Sequence, residues 1–88
     1  MLDHFPLSRF VFHPDKLDDL TRKEITVIHY FLCDYNAKEI ADVMHIHIGG
    51  VYKHRERILD KCPVHSFEVA LAWLVAEGIF TVQKDGKD

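Results

Sequence analysis

Apolar residues recur at helical spacing in four separate stretches, each bounded by residues that start or stop a helix. The first begins at Thr21. In Thr21-Arg22-Lys23-Glu24 a hydroxyl and a carboxylate stand three residues apart, where each satisfies the other's backbone N–H in a capping box, and Ile25, Ile28 and Leu32 follow on one face. This predicts a helix ending near Asp34 or Tyr35. A second, short helix is predicted after Asn36, an N-cap residue with Glu39 three positions on; Ile40, Ala41, Val43 and Met44 form its apolar stripe. His45-Ile46-His47-Ile48-Gly49-Gly50 reads as a turn, with the glycines marking the break. A third helix is predicted from about Gly50 to Cys62. Val51, His54, Ile58 and Cys62 share one of its faces, the other carries Tyr52, Lys53, Arg55, Glu56 and Asp60, and Pro63 stops it. Ser66 caps a fourth helix through Val69, Ala70, Trp73, Leu74 and Ala76, with Gly78 as its C′ residue.

The ends are less regular. Phe5, Leu7, Phe10 and Phe12 are apolar, but Pro6 and Pro14 interrupt them. Ser8 to Phe12 reads either as a short strand or as part of a helix, and Pro14 fits the first position of a short helical turn leading into Leu20. Gln83 to Asp88 reads as a frayed end. The expected organisation is an N-terminal extension over residues 1–19, a helical domain over 20–80 and a tail over 81–88, in an all-α, four-helix fold.

Composition narrows the class. The 88 residues suffice for one domain with a modest core, and 48% apolar with 28% charged residues argues against a disordered chain. A net charge of −3 runs against nucleic-acid binding, which draws on Lys and Arg. The distribution of charge points the other way: Val51 to Lys61 sets Lys53, Arg55, Arg57 and Lys61 against only Glu56 and Asp60, whereas Asp15 to Asp19 is mostly acidic. Cys33 and Cys62 are too few for a disulfide scaffold and read as core thiols. Met1 to Phe12 lacks a basic start followed by an unbroken apolar run, and no stretch approaches the ~20 apolar residues that span a bilayer. A cytoplasmic chain with no membrane partner is expected.

Catalytic signals are missing: there is no Gly-x-Ser-x-Gly, no paired-carboxylate pattern and no phosphate loop, so neither an enzyme nor a cofactor is expected. Seven histidines invite a metal reading, but His45-x-His47 and Cys62-x-x-His65 lack a recognised zinc spacing, and no metal site is expected. The remaining constellation is two helices joined by a short turn, the second amphipathic with a basic outer face. That is a helix-turn-helix, whose second helix fits the major groove while the first braces it against a phosphate.

Four segments in order resemble the LuxR/GerE-type helix-turn-helix family. Leu20-Thr21-x-Lys23-Glu24-x-x-Val27-Ile28 is similar to its opening; Asn36-Ala37-Lys38-Glu39-Ile40-Ala41-x-x-Met44-x-Ile46 to its second helix; Gly50-Val51-Tyr52-Lys53-His54-x-x-x-Ile58-x-x-Lys61 to its third; Ala70-Leu71 and Glu77-Gly78-Ile79 to its last. The resemblance runs from about Leu20 to Phe80 without a gap. It implies a four-helix domain that binds double-stranded DNA as a homodimer and regulates transcription. By position, Tyr52, Lys53 and Glu56 face bases, and Lys38, Gly50 and Lys61 approach the backbone. Val69, Ala70, Trp73, Leu74 and Glu77 on the fourth helix fall to the dimer contact, although Trp73, with Val69, Ala70 and Leu74, equally fits a core.

The chain departs from the family at three positions: Gly50 replaces Thr, Tyr52 replaces Lys, and His47 replaces Ser. Arg55 and Arg57, with Lys53, stand as replacement DNA contacts. Tyr52 reads equally as a DNA contact and as a half-buried aromatic, and His54 as a satisfied packing residue. These departures and the net charge sustain an alternative from another class, a protein-interaction module that has lost DNA binding and pairs with another transcription regulator. Both a stand-alone regulator and the output fragment of a larger one fit the chain.

Overall fold

A computed structural model describes residues 9–83; residues 1–8 of the extension and 84–88 of the tail lie outside them. The elements in order are β1 (Phe10–Phe12), α1 (Arg22–Leu32), α2 (Ala37–Met44), α3 (Ile48–Asp60), α4 (Phe67–Ala76) and β2 (Phe80–Val82). The four helices are those the apolar periodicity predicts, but α1 stops at Leu32, short of the expected Asp34 or Tyr35, because Asp34 takes a left-handed conformation (φ 72°).

Local chemistry explains where they begin. Thr21 caps α1: its Oγ1 accepts the Glu24 N–H (3.1 Å) while Glu24 Oε1 accepts the Thr21 N–H (2.9 Å). Asn36 and Glu39 repeat the arrangement at α2, at 2.8 and 2.9 Å. Ser66 Oγ accepts the Val69 N–H at the start of α4, and the helix is followed by Gly78 in the left-handed region (φ 74°).

The turn between α2 and α3 departs from expectation. The left-handed residue is His45 (φ 58°), and Gly49 and Gly50 lie inside the first turn of α3. The helix starts two residues before Gly50 because His47 caps it, its Nδ1 accepting the Gly49 N–H at 3.1 Å. It ends at Asp60 rather than Cys62, with Lys61 as C-cap.

The core lies where the helices meet. Val27, Ile28, Ile40, Val51, Ile58, Ala70, Leu74 and Phe80 are sealed from solvent. α3 packs on α1, α2 and α4, so its inner face is fully occupied and only its outer face is free.

The expected extension and tail meet one another. β1 and β2 pair antiparallel, with Phe10 opposite Val82 and Phe12 opposite Phe80. The pairing continues through His13 N–H to Ile79 C=O and Gln83 N–H to Arg9 C=O, both 2.8 Å, and His13 Nε2 meets Thr81 Oγ1 at 2.8 Å. Residues 10–12 thus form a strand rather than helix, and residues 81–82 are ordered ribbon rather than frayed tail. The reason is burial: Phe80 packs on Phe12 and on the edge of His29, each at 5.1 Å between ring centres. His29 on α1, itself buried, also reaches the Phe10 carbonyl through Nε2 at 3.1 Å, which ties the ribbon to the helical body.

Candidate nucleic-acid interface

The outer face of α3 presents Tyr52, Lys53, Glu56, Arg57 and Asp60 to solvent, opposite the buried Val51 and Ile58. Lys38 is exposed on the first turn of α2, next to the cap at Asn36. The N-terminal turns of α2 and α3 carry backbone N–H groups without helical partners, which favour anions. Lys38, Tyr52, Lys53, Glu56 and Arg57 therefore occupy the open side of the two-helix unit. Gly50 is half-buried in the first turn of α3; a Cβ there would meet only Ile46 Cδ1, at 3.5 Å, so the loss of a side chain is not forced by crowding.

Two of the basic residues expected at DNA are engaged with the protein itself. Lys61 Nζ donates to Glu24 Oε1 (2.6 Å) and to the Asp19 carbonyl (2.7 Å). Glu24 is 2% exposed, so the Lys61 ammonium balances a buried carboxylate that already accepts the Thr21 N–H. Burial by itself raises the Glu24 carboxyl, but the hydrogen bonds from Lys61 and Thr21 outweigh it, and the group titrates below its usual 4.5.

Arg55 is the second. Its guanidinium lies over the rings of Phe67 (4.8 Å), Tyr52 (5.4 Å) and Phe31 (5.7 Å) and pairs loosely with Glu68 at 3.8 Å. Phe31 and Phe67 are themselves edge to face at 5.0 Å. Arg55 thus lines the cleft between α3 and α4 instead of the outer face. Its position four after Val51 and three before Ile58 is the sequence signal for this, since that spacing brings it to the buried stripe.

His54 packs as expected but is not satisfied: its Nδ1 is buried without a hydrogen-bond partner among the described residues. Burial pushes its pKa below 6.5, the Arg57 and Lys23 cations push it the same way, and Glu24 opposes them. Burial likewise raises both thiols, Cys33 and Cys62, which suits packing rather than reactivity. Among the described residues no cluster of His, Cys, Asp and Glu is placed to hold a metal ion, and no helix is long and apolar enough to cross a membrane.

The residues expected at a dimer contact divide. Ala70 and Leu74 are fully buried within the chain and cannot reach a partner. Val69 is 52% exposed, Glu77 is exposed and Trp73 half-buried. Ala72, Val75 and Ala76 join them on the outer side of α4, which sequence reasoning missed because this helix is apolar all round and its periodicity does not choose a face.

A helical domain with a capped two-helix unit, its second helix bare on the outside, belongs to the helix-turn-helix class of DNA-binding domains. Residues 18–74 match the family described as bacterial regulatory proteins, luxR family, and the chain belongs to that family. DNA-binding transcription regulation is the activity of this class of domain. No curated protein and no solved structure matches the chain significantly.

Proposed function

We propose that this protein regulates transcription by binding specific double-stranded DNA as a homodimer in the cytoplasm, with α3 in the major groove and α4 as the dimer contact. The observation that carries the reading is the open outer side of the α2–α3 unit. It combines Lys38, Lys53 and Arg57 with two capped helix N-termini. In this reading Tyr52, Lys53 and Glu56 face base edges, Lys38 and Arg57 meet phosphates, and Gly50 lies near the DNA backbone without a hydroxyl to offer it. Lys61 supports α3 from behind. The outer surface of α4, with Val69, Ala72 and Trp73, is the apolar patch for a second copy.

A second reading, an interaction module without DNA affinity that pairs with another regulator, draws on Glu56 and Asp60, which share the outer face with Lys53 and Arg57 and make it mixed in sign. Binding to random duplex DNA across a salt series separates the two. DNA binding predicts an affinity that falls steeply with salt and collapses when Lys53 and Arg57 are both changed to Ala. A folded protein with no detectable affinity at low salt sinks the first reading and favours the second.

A further inference from the structure

Arg55 is the residue whose chemistry the DNA-binding reading does not absorb. It is a guanidinium three residues from Tyr52, on a helix that the reading places at DNA, yet three aromatic rings surround it. Such a cation is attracted to the ring faces, and a planar guanidinium stacks on them where a lysine ammonium would not. The contacts form a chain from core to surface: Phe31 and Phe67 at the base, Arg55 above them, and Tyr52 outermost. Glu68, on the first turn of α4, pairs loosely with the outer end of the guanidinium at 3.8 Å. Tyr52 is 47% exposed, so one side of its ring rests on Arg55 while the rest is open to solvent at the mouth of the α3–α4 groove, beside Glu56.

We infer that Arg55 is a positioning residue and that Tyr52, which it holds, determines specificity by setting its ring against the C5-methyl of a thymine in the major groove. This rests on the DNA-binding reading. A tyrosine in that place carries no charge for a phosphate or for guanine O6. What it offers is a rigid apolar edge, and the thymine methyl is the apolar group that the major groove presents. A ring free to swing would lose that discrimination to rotamer entropy, and the Arg55 stack removes the freedom. The cation in the stack serves the protein and is not available to neutralise a phosphate.

The proposal separates two quantities that a direct contact would move together. Binding sites are selected from a random 20-bp duplex library with the wild-type chain, Arg55→Met, Tyr52→Phe and Tyr52→Ala, and the salt dependence of affinity is measured on the selected duplex. Met fills the slot between the rings without charge. Arg55→Met is expected to keep the wild-type salt slope while its selected motif loses preference at one thymine. Tyr52→Ala loses preference at that same thymine, and Tyr52→Phe keeps it. Replacing that thymine by uracil removes one methyl, weakens wild-type binding about fourfold and leaves Arg55→Met nearly unaffected. A salt slope reduced by about one in Arg55→Met with the motif intact marks a phosphate contact and overturns the proposal. So does a motif unchanged in Tyr52→Ala. If Arg55→Met does not fold, Arg55→Lys keeps the charge but not the planar stack, and the motif decides alone. A folded wild-type chain that selects no motif overturns the DNA-binding reading itself, an outcome distinct from the other two.

Discussion

Lys61 and Glu24 form a 2.6 Å ion pair that joins the C-terminal end of α3 to the first turn of α1, across 37 residues of sequence. The pair fastens the proposed DNA-reading helix to the body of the domain. Glu24 is buried and Lys61 is about a quarter exposed. Removing the cation strands a carboxylate in the core, whereas removing both charges does not. Lys61→Met is expected to destabilise the domain by about 2–3 kcal/mol, below the fully buried range because Lys61 is partly solvated. The Glu24→Gln, Lys61→Met double variant recovers most of that loss in denaturant unfolding. A Lys61→Met variant as stable as wild type would show that the pair does not hold α3. The Glu24 carboxyl titrates below 4.5 in the folded chain, so its contribution is complete above that pH and disappears as pH falls through the lowered value.

His54 acts at a higher pH. Its folded-state pKa lies below 6.5 because burial and the neighbouring cations disfavour the charged ring. The unfolded chain therefore takes up this proton first, and stability is expected to fall as pH drops below about 6.5. In His54→Leu, which also removes the unpartnered Nδ1, thermal unfolding between pH 7 and pH 5 is expected to shift less than in wild type. An identical shift in the two proteins would assign the acid sensitivity to other groups.

Gly50 costs helix stability without a steric reason. It is inside α3, and an added Cβ makes only an ordinary contact with Ile46. Gly50→Ala is expected to stabilise the domain by about 0.5–1 kcal/mol, read from the urea midpoint at unchanged slope. Gly50→Thr restores the hydroxyl found in the family at this position, and tighter binding to duplex DNA is the expected result. Loss of stability in Gly50→Ala would mean that the first turn of α3 is not the regular helix described.

The apolar outside of α4 has a specific consequence in solution. Val69→Glu puts a charge on an exposed position that makes no contribution to the core. It is expected to keep the monomer folded, to convert a dimer to a monomer in sedimentation, and to remove the concentration dependence of the unfolding midpoint. Leu74→Glu, by contrast, unfolds the chain, since Leu74 is fully buried. Sedimentation of the wild-type chain as a monomer at high concentration would remove α4 as the dimer contact.

Much of this architecture is legible in particular residues. Thr21 with Glu24 and Asn36 with Glu39 mark the helix starts because a capping box closes within four residues. Ser66 and Gly78 bracket α4 for the same reason of locality. The proposed interface is less legible. Lys53, Arg55, Arg57 and Lys61 look alike as a basic run, but Lys53 and Arg57 are free on the outside while Arg55 and Lys61 are held by Phe67 and Glu24. Charge at a position says nothing about which distant carboxylate or ring will face it.

The sequence by itself determined the four helices, the caps of α1, α2 and α4 and the helix-turn-helix register, because those depend on backbone hydrogen bonds and apolar spacing within a few residues. Only the tertiary structure decided that Phe10–Phe12 pairs with Phe80–Val82, that Glu24 is buried against Lys61, and that Arg55 lies among the rings of Phe31, Phe67 and Tyr52. Each of these joins residues far apart in the chain or turns on which side of a helix a neighbour covers, and packing of the assembled core sets both.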